Sequence, residues 1–235
     1  MCAVLLGGQF VFSFVAGVEI VTLLLACFSY VFGVKCGSVC ATAFSLLRCF
    51  IYGFYPNVVI LYLVYYPLLA TVFGGLGKLK DETFTHIGFI IAVNALFILL
   101  SSACAACAVF NLIKVSRLYR TAVNALLWVI FALCLILVVL YDGFLIALKT
   151  FKKGSLLSVK LFAICAVGAV CAAIFTLADD VISPLVLGFS RETALAYFYS
   201  SFLAMLPQTV CAVITLGTLF LPVSACLKRI RKKLI

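Results

Sequence analysis

Long runs of apolar residues, each closed by a short cluster of charge or a Gly/Pro break, set the pattern of this chain. The runs cover roughly 2–15, 19–33, 36–54, 57–77, 86–113, 121–148, 158–178 and 194–226. The longer ones reach about 20–30 residues, enough to cross a ~30 Å hydrocarbon core as α-helix. The charges gather at Lys78 to Glu82, Lys114 to Arg120, Lys149 to Lys160 and Lys228 to Lys233. No stretch alternates apolar and polar residues as a membrane-barrel strand must. The pattern therefore predicts an all-α polytopic helical membrane bundle of six to eight transmembrane helices. Only Ala16-Gly17-Val18 separates the first two runs, so they read as one tilted helix or a tight helical hairpin. Further breaks are expected around Gly33 to Gly37, at Gly53-Phe54-Tyr55-Pro56-Asn57 and at Gly74-Gly75-Leu76-Gly77. A longer loop is expected from Asp179-Asp180-Val181-Ile182-Ser183-Pro184 to Arg191-Glu192.

Composition removes the soluble alternatives. Hydrophobic residues are 67% of the 235 and charged residues 10%, against roughly 45–50% and ~25% in soluble domains. Residues 1–235 thus read as a single membrane domain. The net charge of +10 comes largely from the loops and from Lys228-Arg229-Ile230-Arg231-Lys232-Lys233. A basic segment directly after an apolar helix reads as a cytoplasmic stop and headgroup anchor. No basic surface lies away from the membrane edges, so no nucleic-acid partner is expected. Counting crossings back from a cytoplasmic C-terminus puts the N-terminus inside as well, with the 179–193 loop outside. Lys35 and the 149–160 loop fall inside, whereas Lys114, Arg117 and Arg120 fall outside, against the positive-inside rule. Twelve cysteines without framework spacing read as small buried hydrophobes.

Charge inside the apolar runs carries the candidate chemistry. Glu19 is the single carboxylate between Met1 and Gly33, and a charge at the bilayer centre costs at least ~2.5–3.5 kcal/mol. Arg48 lies within the third run, one turn below Tyr52. The topology brings Glu19, Arg48, Tyr52, Asn57, Tyr62, Asp179, Asp180 and Tyr197 to the outer ends of the helices. Aromatic walls with a few convergent polar groups are the usual make-up of a small-molecule pocket. Pro207 should kink the last helix and offer Gln208 as a further polar contact. These nine residues form the candidate substrate-binding set. Each has a plainer reading beside it. Tyrosines at helix ends also form the interfacial belt, Asp179 and Asp180 in a loop are also ordinary solvated charges, and Gln208 equally serves as inter-helix glue. Glu19 and Arg48 either pair with each other or are bridged by a ligand. Asp142 is expected to snorkel to the inner interface.

Other motifs fall away. Cys104-Ala105-Ala106-Cys107 sits in an apolar helix without a second pair, and Gly74 to Lys78 lacks the spacing and the Ser/Thr of a P-loop. No Ser/His/Asp set or HExxH appears. The sequence reads as a non-enzyme, with no cofactor and no metal.

Three segments then form a familiar succession: Val18-Glu19-Ile20-Val21-Thr22-Leu23-Leu24, Val31-Phe32-Gly33-Val34-Lys35, and Ile51-Tyr52-Gly53-Phe54-Tyr55-Pro56. Together they resemble the membrane-embedded S components of energy-coupling factor (ECF) vitamin transporters. The stretch from Phe175-Thr176-Leu177-Ala178-Asp179-Asp180 through Ala196-Tyr197-Phe198-Tyr199 to Leu221-Pro222 is similar to their last two helices. The resemblance covers about 1–77 and 159–226, leaving 78–158 as an insertion of about two helices. It implies a subunit of the cell membrane that captures a vitamin or related micronutrient from outside. Delivery would need a transmembrane coupling subunit and ATP-binding cassette ATPases in trans, with Ala3-Val4-Leu5-Leu6-Gly7 as the small-residue face toward the coupling subunit. Two other classes stay open: a self-sufficient secondary transporter or channel-like protein using Glu19 and Arg48 as a coupling or gating pair, and a non-transporting membrane scaffold.

Overall fold

The structure, a computed structural model, describes residues 1–12, 20–80, 83, 87–110, 120, 124, 127, 128, 131, 132, 134–136, 138, 139, 141–143, 145, 146 and 156–234. Among these, every regular element is helical: α1 (Cys2–Phe12), α2 (Val21–Phe32), α3 (Val34–Tyr52), α4 (Pro56–Leu76), α5 (Ile87–Val109), a short α6 (Cys134–Gly143), α7 (Leu156–Leu187) and α8 (Arg191–Leu234). Five of them, α3, α4, α5, α7 and α8, are long and apolar enough to cross a membrane, while α1, α2 and α6 are shorter apolar helices. The chain is thus an all-α, multi-pass membrane protein. Large apolar side chains such as Phe50, Val64, Leu99 and Leu185 stay exposed, as they must where the solvent is hydrocarbon.

Two compact units divide the chain: residues 1–79 with 164–235, and residues 80–163. In the first unit α2, α3 and α4 pack on one another, α2 also packs on α8, and α1 lies on α2 and α3. Glycine lets these helices approach. A Cβ on Gly74 would stand 2.6 Å from the backbone nitrogen of Val34, and one on Gly77 would collide with the carbonyl of Tyr30. The glycines that close α4 are therefore the surface on which the α2–α3 junction rests. That junction is a single residue, Gly33, whose φ of +88° is the left-handed region that favours glycine. At the same end, the Arg231 Nη1 of α8 donates to the Val31 carbonyl of α2 (2.6 Å), and the Lys228 ammonium lies 6.0 Å from the Tyr30 ring centroid. Lys228 to Lys233 belong to the continuous helix α8.

In the second unit Asn94 of α5 donates to the Asp142 carboxylate (2.8 Å), next to a buried Tyr141 ring stacked on Phe162. Asp142 is thus held by an amide on a neighbouring helix, where the sequence pattern suggested a side chain reaching for the interface.

One expected break is absent. The loop predicted from Asp179 is helix: α7 runs on to Leu187, so Asp179, Asp180, Ser183 and Pro184 all lie on it. The real stop is Gly188 (φ +63°), after which the Phe189 N–H bonds the Pro184 carbonyl at 3.0 Å, the six-to-one bond of a Schellman ending. Ser190 then caps α8, its Oγ accepting the Thr193 N–H at 3.3 Å. The connection is three residues, Gly188 to Ser190. The expected turn at 16–18 and most of the 114–120 cluster lie outside the described residues.

Candidate functional site

Helix α7 organises the polar groups of the first unit. Phe175, Thr176, Asp179, Asp180 and Ser183 are spaced i, i+1, i+4, i+5 and i+8 along it, one stripe on a helix of 3.6 residues per turn. The two acids use that stripe differently. Asp179 accepts from Ser183 Oγ at 2.5 Å and from the Tyr197 hydroxyl of α8 at 2.6 Å. Ser183, fully buried, in turn accepts from the Asn57 amide of α4 at 2.9 Å. The chain Asn57–Ser183–Asp179–Tyr197 thus ties α4, α7 and α8 together. Asp180 is 8% exposed, takes a short hydrogen bond from Ser201 of α8, and has its Oδ2 buried without a partner among the described residues. Two turns deeper on α8, Gln208 accepts from the Thr176 hydroxyl of α7 at 3.2 Å, so it joins those two helices.

An aromatic group lies about one helical turn further in. Tyr62 of α4 stacks on Tyr66, with centroids 5.0 Å apart and planes within 9°, and Phe175 of α7 lies 5.8 Å from Tyr62 and 4.7 Å from Tyr65. Phe44 of α3 meets Tyr66 edge to face, with centroids 5.2 Å apart. Into this group comes Arg48. Its guanidinium carbon is 4.0 Å from the Tyr62 ring centroid and 5.1 Å from that of Tyr52. Such contacts contribute ~0.5–2 kcal/mol each, which offsets part of the cost of a charge in a membrane helix. They do not satisfy its N–H donors. The Arg48 Nε is buried with no hydrogen-bond partner among the described residues, and so is the Tyr52 hydroxyl.

Of the nine residues singled out from sequence, Arg48, Tyr52 and Tyr62 meet in the aromatic group, while Asn57, Asp179 and Tyr197 meet in the hydrogen-bonded chain. Asp180 and Gln208 lie along the α7–α8 seam. Glu19 lies outside the described residues, and with it the expected approach of Glu19 to Arg48. Asp179 and Asp180 are not loop charges, as the α7 boundaries make plain.

Sequence reasoning passed over Ser183, Ser201, Phe175 and Thr176. A signal was present: Asp179 and Ser183, and likewise Tyr197 and Ser201, are four apart, the spacing that puts two side chains on one helical face. It is legible only once the segment is known to be helix.

Among the described residues nothing covers Ala3 and Gly7 of α1: both are exposed, and no described atom lies within 4 Å of a Cβ placed on Gly7. All twelve cysteines are free. Among the described residues no group of three or more His, Cys, Asp or Glu is placed to hold a metal ion. Set against protein-family models, curated proteins and solved structures, the chain matches none.

Proposed function

We propose that this chain is the substrate-capture subunit of an ECF-type importer, taking a vitamin or related ring-bearing micronutrient from the outer face of the cell membrane. The observation that carries the reading is the hydrogen-bonded chain Asn57–Ser183–Asp179–Tyr197 beside an arginine held on tyrosine rings. Polar groups within membrane helices are expensive and mark substrate pathways by default. Here they gather at one end of one unit, where a flat ring would stack on Tyr52 and meet polar groups at its rim.

Charge supports the orientation. Lys35 and Lys78 adjoin the helix ends opposite that cluster, and Lys228 to Lys233 close α8 at the same end. By the positive-inside rule that end faces the cytoplasm and the cluster faces out. The three segments that resemble S components supply the division of labour: capture by this chain, energy from ATPases in trans through a coupling subunit docked on the exposed Ala3 and Gly7 of α1.

A melting-temperature screen of purified protein against water-soluble vitamins and nucleobase precursors tests the reading. At least one should raise the melting temperature of the wild type, and Tyr52→Ala should weaken that ligand's affinity while the unliganded protein still folds. Uniform failure to bind, or variants that only unfold, would leave the cluster as helix glue.

A further inference from the structure

We infer that the ligand of this site carries a carboxylate on a flat ring, and that the planar edge of the Arg48 guanidinium receives it. This rests on the capture reading above and names the chemical class of what is captured.

Three of the four oxygens of the two described carboxylates of the cluster, Asp179 and Asp180, already have donors from the protein. Asp179 has a donor on each oxygen, and Asp180 has Ser201 on one oxygen while the other is buried. Among the described residues of the cluster a cationic ligand would have only the buried Asp180 Oδ2 left to bind. Arg48 is the reverse case. The guanidinium carbon lies 4.0 Å and 5.1 Å from the Tyr62 and Tyr52 ring centroids, an attraction that depends on the charge and not on a full hydrogen bond from any one N–H. The Nε is itself buried, with no hydrogen-bond partner among the described residues, whereas Arg48 as a whole is only partly buried, on a helix suited to crossing a membrane, so a ligand meets the outer part of the guanidinium edge. Five N–H donors lie in that plane in a fixed fork whose geometry matches a carboxylate. A partly desolvated fork beside tyrosine rings fits an acid attached to a ring: the acid takes the fork and the ring lies against Tyr52, Tyr62 being already packed by Tyr66 and Phe175. A lysine in this place would supply a point charge without the fork.

The test uses purified full-length protein in detergent and isothermal titration with matched pairs, nicotinate with nicotinamide and 4-aminobenzoate with 4-aminobenzamide, alongside biotin, folate, pyridoxine and thiamine. The acids should hold the tightest binders, with an acid preferred over its amide by about tenfold or more, as a charge-assisted bidentate contact supplies. Arg48→Gln should abolish that preference, and Arg48→Lys should restore only part of it, with unliganded melting showing that both variants fold. A best binder that is neutral or cationic, or an acid preference that survives in Arg48→Gln, overturns the inference and leaves the capture reading standing. No binding by any member of the panel overturns both.

Discussion

Two neighbouring glycines on α4 give the packing of the first unit its sharpest test. Alanine at Gly74 would put a methyl carbon 2.6 Å from the Val34 nitrogen, 2.8 Å from its Cα and 3.0 Å from the Gly33 carbonyl carbon. All three atoms are backbone, so no rotamer change relieves the contact and α4 must move off the α2–α3 junction. Alanine at Gly75 meets nothing within 4 Å. Both positions are helical, so the ~1 kcal/mol gain in helix propensity from glycine to alanine is common to both and cancels in the comparison. What remains is the overpacking, ~1–3 kcal/mol for an added methyl that a packed interior cannot absorb. Gly74→Ala should therefore be less stable than Gly75→Ala by about 1–3 kcal/mol, read from reversible SDS unfolding in mixed micelles followed by circular dichroism. Equal stability, or a more stable Gly74→Ala, would refute the close approach of α4 to Val34.

Other substitutions probe the remaining contacts. Tyr197→Phe removes one of the two donors on Asp179 and should lower stability by ~0.5–2 kcal/mol, the low end being usual in membranes; an unchanged midpoint in the same unfolding assay would contradict the bond. The Cys2 and Cys40 sulfurs stand 3.7 Å apart across α1 and α3. Diamide should therefore join them in a disulfide found by non-reducing peptide mapping, whereas an adduct-free, unlinked pair would place α1 elsewhere. Arg231→Gln loses the charge-assisted bond to the Val31 carbonyl and should cost about 1 kcal/mol, a value that a double-mutant cycle with Lys228→Gln can separate from the neighbouring cation–ring contact. Gly7→Leu on the exposed face of α1 should leave ligand affinity intact while abolishing co-purification with the coupling subunit.

Hydropathy alone carried the class of fold, because a membrane helix advertises itself by length and apolarity without help from tertiary contacts. It carried less of the boundaries. Asp179-Asp180 followed by Ser183-Pro184 has the composition of a loop, yet the Asp179 and Asp180 carboxylates are met by donors on α8 and on α7 itself. The helix continues until Gly188 can end it. Local composition cannot register donors that arrive from another helix. The pairing of Asn57 with Ser183 across 126 residues was invisible for the same reason. Arg48 could be singled out directly, since a charge within an apolar run needs an explanation. Its tyrosine partners required only the i+4 step to Tyr52 and the turn at Gly53 that folds Tyr62 back beside it.

Uptake by proteoliposomes tests the central claim most directly. The chain is reconstituted alone and together with a coupling subunit and its ATPase pair, and entry of a radiolabelled ligand from the melting screen is followed with and without ATP. The account predicts ligand bound but not accumulated by the chain alone, and ATP-dependent accumulation in the full assembly, reduced in Tyr52→Ala. Accumulation at full rate by the chain alone would contradict it and make the protein a self-sufficient transporter.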